Sequence, residues 1–269
     1  MSNYVLKHGE SISMDTRSTI SMRYKTITKA INMEFWNSSS DILHSLYVGS
    51  YGRGTAIDTS DIDILVELPR SEYSRYDIYK GNGQSRLLQA VKRAILNKYP
   101  RTEVRADGQV VKVLFSDNMK FEVLPAFVGI SWSGSTIYEY PDTNMGGNWR
   151  STNPKAEQET MRSKNSSTNG LLIDTCKHMR YIRDNYFSSY HLSGIVIDSF
   201  VYAAIGNWSW TQPSSTSSAA AGEYENVLYN YYRNHYRYQN TISAPGSNQS
   251  VDLASSRACL EKVLSKMSQ

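Results

Sequence analysis

The sequence predicts an α+β fold with a first lobe, which contains a sheet and helices, over residues 1–140 and a mainly helical lobe over residues 141–269. Apolar residues at helical spacing over 14–36 predict a long first helix. A strand, a glycine turn and a second strand then follow between residues 42 and 67, which favours a sheet in the first lobe. Beyond residue 154 helical periodicity predominates, so the second lobe is predicted to contain mostly helices.

The individual elements follow from apolar spacing and from turn residues. A strand over Ile42–Val48 delivers Gly49 and Ser50 at its end, and Pro100 stops a helix that begins near Ser85. Pro125 ends the last predicted strand of the first lobe. The Pro, Asn, Gly and Trp residues over 140–149 show little periodicity and predict the segment in which the chain crosses from the first lobe to the second. The other predicted strands are Asp61–Glu67, Gln109–Phe115 and Lys120–Leu124; the helices of the second lobe are 154–164, 168–187, 192–206, 222–238 and a last one that ends near Lys266.

Composition excludes several classes of protein. The 269 residues are 40% hydrophobic, which is enough for a real core. No apolar run approaches the ~20 residues of a membrane helix, and residues 1–10 lack the apolar segment of a secretory signal, so we expect a cytoplasmic protein with no membrane partner. A formal net charge of +4, scattered among acidic residues, favours small phosphorylated ligands over long nucleic acid.

The most informative motif joins a glycine turn to two acids. Asp61 and Asp63 lie two residues apart on a predicted strand, so both side chains project from one face and could hold divalent metal. In the preceding turn, Gly49 and Ser50 can bring backbone amides and a hydroxyl to a triphosphate, and Arg53 can add positive charge. The alternative for the two acids is a solvated or capping pair.

Glu122 is the candidate for a third acid. It lies between the apolar residues Phe121 and Val123 on a predicted strand. A carboxylate in an apolar strand is costly unless it is paired or binds a metal, which indicates a function for Glu122. Three carboxylates can hold two Mg²⁺ ions, with Mn²⁺ as a substitute, for nucleotidyl transfer to a hydroxyl. Because the sequence does not fix the register of this strand, one alternative is that Glu122 is an edge-strand acid that faces water. The other alternative is that Asp117 is the third acid.

These motifs resemble those of the bacterial CD-NTases, relatives of cyclic GMP-AMP synthase and oligoadenylate synthase in the polymerase β-like superfamily. The resemblance is carried by Gly49-Ser50, Gly54-Thr55, Asp61-Ile62-Asp63 and the block 121–127, and it extends over residues 10–210. It implies a polymerase β-like lobe, a helical lobe and an active site in the cleft between them. It also implies a cyclic dinucleotide or trinucleotide made from ribonucleoside triphosphates, ATP or GTP first, as a second messenger of anti-phage defence with partners from a defence operon.

The resemblance further implies nucleotide contacts. Lys177 and Ser193 are the implied triphosphate contacts, and Asn153 lies in the segment 150–153 that shapes the base and acceptor pocket in this family. From spacing alone, Lys177, Arg180 and Arg183 can form one basic row on a helix; a solvated face is the alternative for the two arginines.

Two further functions use the same residues. The same metal clamp serves nucleotidyltransferases that modify RNA, a protein or a small molecule. A catalytically inactive nucleotide-binding regulator is the alternative of another class, and retention of all three candidate acids argues against it.

The tyrosines over 224–238 follow a helical stripe, so packing is favoured over stacking on nucleic acid.

Overall fold

The computed structural model describes residues 5–8, 11–58, 61–131, 134–211 and 219–269. The chain divides into two compact units. One unit comprises residues 13–52 and 60–153, and the other comprises residues 1–12, 53–59 and 154–269. The mixture of sheet and helices confirms the predicted α+β class.

The first unit is built around a mixed sheet. The strand bounds are β1 Ser45–Tyr47, β2 Ile62–Glu67, β3 Glu103–Asp107, β4 Val110–Leu114, β5 Lys120–Ile130, β6 Thr136–Asp142 and β7 Asn148–Thr152. The strands run in the order β1-β2-β5-β4-β3, and β6 pairs with β5 and with β7. β2 and β5 are parallel, whereas β1 with β2, β4 with β5 and β3 with β4 are antiparallel.

Helices complete this unit. The predicted first helix is confirmed as α1 Met14–Phe35, whose N-cap Ser13 accepts a hydrogen bond from the backbone N–H of Thr16. A single short turn, α2 Gly49–Gly52, follows β1, and α3 Arg70–Asp77 follows β2. The predicted second helix is confirmed as α4 Gly83–Leu96, and its apolar stripe is buried.

Two predictions for this unit were wrong, and one strand was missed. Strand β5 continues through Pro125 to Ile130 instead of ending before the proline. The segment predicted as an aperiodic crossing contains the paired strands β6 and β7. Strand β3 was not predicted at all. β6 runs across the boundary predicted at residues 140 and 141, and the division into domains itself stays a prediction.

The second unit is mainly helical, as the periodicity predicted. Its helices are α5 Pro154–Ser167, α6 Leu171–Tyr186, α7 Gly194–Ala204, α8 Glu223–His235 and α9 Arg257–Met267, and a short hairpin pairs β8 Thr241–Ser243 with β9 Ser250–Asp252. Tyr224 and Tyr232 on α8 are buried in the core of this unit, in agreement with the packing alternative for the tyrosine stripe. In the described parts of the chain, no helix has both the length and the apolar character needed to span a bilayer.

Candidate active site

The three candidate acids lie on two neighbouring strands of the first unit. Asp61 directly precedes β2 and Asp63 is its second residue, while Ile62 and Ile64 are buried on the opposite face. The parallel register of β2 and β5 pairs Asp63 with Glu122. Because residues in register share a face of the sheet, the side chains of Asp63 and Glu122 are direct neighbours.

A lysine that the sequence analysis did not consider joins two of these acids. The Lys120 Nζ lies 2.6 Å from Asp61 Oδ2 and 3.1 Å from Glu122 Oε1. Lys112, the cross-strand partner of Glu122 on β4, places its Nζ 3.9 Å from the same Glu122 oxygen and also pairs with Asp107. The face of the sheet that carries the acids therefore carries two ammonium groups as well.

The environment of Lys120 favours its charged form. Partial burial acts to lower the pKa of this lysine, but the hydrogen bonds to Asp61 and Glu122 outweigh burial and raise its pKa. The ammonium is therefore retained at neutral pH and behaves as a fixed cation between the two carboxylates.

The glycine turn lies directly against Asp63. Gly49 has a φ of +58°, and a Cβ built at this position would lie 1.9 Å from Asp63 Oδ2. The backbone N–H of Val48 donates to the carbonyl oxygen of Asp63 at 2.9 Å. Only glycine provides both the left-handed backbone and the space that the carboxylate occupies.

The donor set suits a divalent cation, although the acids do not form a closed cage. Carboxylate oxygens are the preferred ligands of Mg²⁺, and the Lys120 ammonium demonstrates that oxygens of Asp61 and Glu122 reach a common cation. Within the described residues, no group of three His, Cys, Asp or Glu side chains is arranged to hold a metal ion. The acids thus fit a metal in chemistry and in strand placement, with Lys120 where a cation would bind.

Asp117 has a different partner. It lies in the turn between β4 and β5, and both of its carboxylate oxygens contact Arg23 at 2.9 Å. The hydrogen bond with Arg23 lowers the pKa of Asp117. This geometry favours Glu122 over Asp117 as the third acid.

Arg53 belongs to a buried ion network of the second unit. Its Nε donates to Asp198 Oδ2 at 2.8 Å and its Nη1 donates to Glu157 Oε2 at 3.0 Å. Asp198 is fully buried and also accepts from Thr55 Oγ1 at 3.0 Å and from Arg180 Nη1 at 2.7 Å. Two of the three guanidinium nitrogens of Arg53 therefore bind carboxylates, and its role as a phosphate contact stays a prediction.

The charges in this network stabilise one another. Burial alone would raise the pKa of Asp198, but the guanidinium groups of Arg180 and Arg53 outweigh it and lower the pKa to about 2. For Glu157 burial has the larger effect, so its pKa is raised in spite of Arg53. Asp198 is consequently the permanent anion that the two arginines share.

The predicted basic row on α6 does not form. Arg180 is 1% exposed, and besides Asp198 it binds the carbonyl oxygens of Cys176 and Gly194. Arg183 donates to Asp184 and to the carbonyl oxygen of Leu192. Helical spacing could not reveal that this side of α6 is partly buried against α7 and the loop before it, where Arg180 and Arg183 bind carbonyl oxygens.

The remaining predicted contacts have local roles. Ser193 is the N-cap of α7: its side chain accepts from the backbone N–H of Val196, and its own backbone N–H donates to Ser256 Oγ at 3.1 Å. Lys177 is half-buried on α6, and Asn153 directly precedes α5. Burial lowers the pKa of the nearby His8, and the charge of Lys177 adds to this effect.

Comparison with known sequences identifies the family. Residues 3–165, more than half of the chain, match the Second Messenger Oligonucleotide or Dinucleotide Synthetase domain, abbreviated SMODS. The chain belongs to the SMODS family. A relative in Bacillus cereus (strain VD146), named "Probable cyclic nucleotide synthase", is 22% identical over 159 residues, which cover 55% of this SMODS chain and 47% of the relative. The chain thus spans about half the length of that curated relative.

Solved structures with the same fold include two enzymes named CdnE. The cyclic dinucleotide synthase of Elizabethkingia meningoseptica matches with a TM-score of 0.62 and 16% identity, over 98% of this SMODS chain and 94% of its own. The c-UMP-AMP synthase of Rhodothermus marinus matches with a TM-score of 0.64 and 15% identity, over 98% and 92% of the two chains. At these identities the comparison establishes a shared fold, the nucleotidyltransferase fold expected from the resemblance.

Proposed function

We propose that this chain is a cyclic oligonucleotide synthase that joins ribonucleoside triphosphates by nucleotidyl transfer. The observation that supports this most strongly is the register of β2 and β5, which pairs Asp63 with Glu122 directly beside the Gly49 turn. Membership of the SMODS family and the shared fold with two cyclic dinucleotide synthases support the same reaction.

The acids have defined tasks in the proposed reaction. Asp61, Asp63 and Glu122 would hold two divalent cations, Mg²⁺ or Mn²⁺, which would neutralise charge on the transferred phosphate and acidify the attacking hydroxyl. Glu122 accepts the proton of the acceptor ribose hydroxyl. The hydroxyl oxygen bonds to the α-phosphorus, the bond from that phosphorus to the bridging oxygen breaks, and pyrophosphate leaves with that oxygen.

Binding of the donor triphosphate is assigned to a small set of residues. Backbone amides at Gly49 and Ser50 and the Ser50 hydroxyl bind phosphate oxygens. Lys177 and Ser193 are proposed as further triphosphate contacts, and Asn153 as a contact of the base or the acceptor. A second transfer within the linear intermediate closes the ring.

The choice of nucleotides is proposed only by class. The Elizabethkingia enzyme was solved with GTP and Apcpp, and the Rhodothermus enzyme with Apcpp and Upnpp. We therefore propose purine ribonucleoside triphosphates as the first substrates to test and include pyrimidines. We place the reaction in the cytoplasm, where these nucleotides are available, and assign its product a signalling role in anti-phage defence.

The test is product analysis with matched variants. Purified protein is incubated with all four ribonucleoside triphosphates and Mg²⁺ or Mn²⁺, and phosphatase-resistant products are identified by mass spectrometry. Asp63→Asn should lower turnover at least about 1000-fold, because it removes charge at the transferred phosphate. Asp117→Asn, an acid outside the proposed site, should retain activity. A linear, phosphatase-sensitive product, or label transferred to RNA or protein, would contradict cyclisation; equal activity of Asp63→Asn and wild type would contradict the site.

A further inference from the structure

The acid-bearing face of the sheet contains a cation of its own. Lys120 Nζ contacts Asp61 Oδ2 at 2.6 Å and Glu122 Oε1 at 3.1 Å, so one ammonium is shared by acids of two strands. The side chain of Lys120 is 30% exposed, that of Glu122 is 25% exposed and that of Asp61 is 47% exposed, so the contact with Glu122 is partly shielded from water and the contact with Asp61 is more open. Two carboxylates bind the same ammonium, which distinguishes the arrangement from a single solvated ion pair.

The arrangement follows from the strand periodicity. Lys120 lies two residues before Glu122 on β5 and therefore projects from the same face. The same register that pairs Asp63 with Glu122 brings two like charges together on adjacent strands, which is unfavourable without a nearby cation. In the metal-free protein the Lys120 ammonium offsets that repulsion.

We propose that Lys120 is a positioning residue that occupies the cation position shared by Asp61 and Glu122 until a divalent ion displaces it. The inference rests on the proposed function, because it takes these acids as metal ligands. A divalent ion bound to the same carboxylate oxygens repels the nearby ammonium, which disfavours the contacts that Lys120 makes in the metal-free protein. The flexible four-carbon stem of lysine allows the ammonium to swing away when the ion enters.

Displacement has a measurable consequence for metal affinity. Entry of the ion breaks two ion pairs, so a variant without the ammonium should bind the ion more tightly. The expected gain is on the order of two- to fivefold in Kd, the scale of a partly exposed ion pair. The gain should be visible without nucleotide and without turnover.

The experiment measures Mn²⁺ binding to the nucleotide-free protein. Free Mn²⁺ is followed by electron paramagnetic resonance at one pH and one ionic strength for wild type, Lys120→Met and Lys120→Arg. Lys29→Met, an exposed lysine on α1, is the matched control for loss of one positive charge. Lys120→Met should bind more tightly, whereas Lys120→Arg, which keeps the cation, and Lys29→Met should bind like wild type.

Thermal unfolding in EDTA provides a second readout and reports whether each variant folds. Lys120→Met should unfold at a lower temperature than wild type without metal, and Mn²⁺ should raise its unfolding temperature by more. Unchanged or weaker Mn²⁺ binding by Lys120→Met, including binding by neither protein, would overturn the inference. Equal tightening in Lys29→Met would overturn it too, because the effect would then be one of net charge.

Asp63→Asn separates this inference from the proposed function. If Asp63→Asn weakens Mn²⁺ binding while Lys120→Met leaves it unchanged, the acids remain the metal site and only the role of Lys120 falls. If Asp63→Asn also leaves binding unchanged, the metal binds elsewhere, and both the role of Lys120 and the proposed site fall.

Discussion

Replacing Gly49 by alanine should disable the proposed site by displacing Asp63. Because ordinary van der Waals contact begins at 3.4 Å, a Cβ at 1.9 Å from Asp63 Oδ2 forces that oxygen to move by about 1.5 Å. A misplacement of ~1 Å at a reacting centre can cost roughly 100-fold in rate. We therefore expect Gly49→Ala to lose at least about 100-fold in pyrophosphate release with Mg²⁺ and ribonucleoside triphosphates.

Gly81 provides a matched control in the same unit. Its φ is +83°, and a Cβ there would meet no atom within 4 Å, so alanine has only the left-handed backbone penalty. That penalty is roughly 1–2 kcal/mol at either glycine, so the left-handed backbone should lower the free energy of unfolding of the two variants by similar amounts. If Gly49→Ala keeps activity within about threefold of Gly81→Ala, contact with Asp63 does not matter to catalysis and the reasoning is refuted.

Two further predictions concern stability of the helical unit. Asp198→Asn should lower the free energy of unfolding by roughly 3–5 kcal/mol in urea denaturation, because two buried guanidinium groups lose their shared anion. Asp184→Asn removes one partner of the Arg183 pair, whose side chains are 20% and 23% exposed, and should cost under about 1 kcal/mol. Similar losses in both variants would contradict the network. Burial, reinforced by His8, lowers the pKa of His178 from 6.5 to about 4, so the unfolded chain takes up a proton that the folded chain does not. Stability should thus fall by about 2 kcal/mol from pH 7 to pH 5, and His178→Gln should lose less; an equal loss would contradict this assignment.

The placement of the three candidate acids on one face of the sheet was largely predictable because strands have a fixed period. Alternation along two apolar segments placed Asp61 and Asp63 on one face and singled out Glu122, and the structure sets Asp63 beside Glu122. The same rule could have placed Lys120 on that face, two residues before Glu122. Lys120 was not among the predicted site residues, because a metal clamp requires acids on this face and the basic residues were expected elsewhere.

Other features depend on tertiary partners that local patterns do not contain. Pro125 was expected to end β5, but it lies after the stretch paired with β4 and before the stretch paired with β6. Its missing N–H therefore removes no ladder bond to either strand. The exchange of partners is a property of the sheet, so no local pattern could predict that the strand continues.

The buried ion network offered a signal that was not used. Asp198 lies within the largely apolar run Ile195–Val201. A carboxylate in such a run is costly unless it has a buried partner, by the same argument that singled out Glu122 on its strand. That reasoning would have predicted a buried cation for Asp198. It could not have identified Arg53 and Arg180, because their contacts depend on how separate segments pack.

The most direct test of the proposed metal site is to locate the metal. Crystals grown with Mn²⁺ and a non-hydrolysable ribonucleoside triphosphate would reveal manganese by anomalous scattering. We expect manganese directly bonded to carboxylate oxygens of Asp61 and Asp63, with Glu122 on the same cluster and Lys120 Nζ withdrawn from Asp61. Manganese bound only to phosphate oxygens, with Lys120 still between Asp61 and Glu122, would contradict the account.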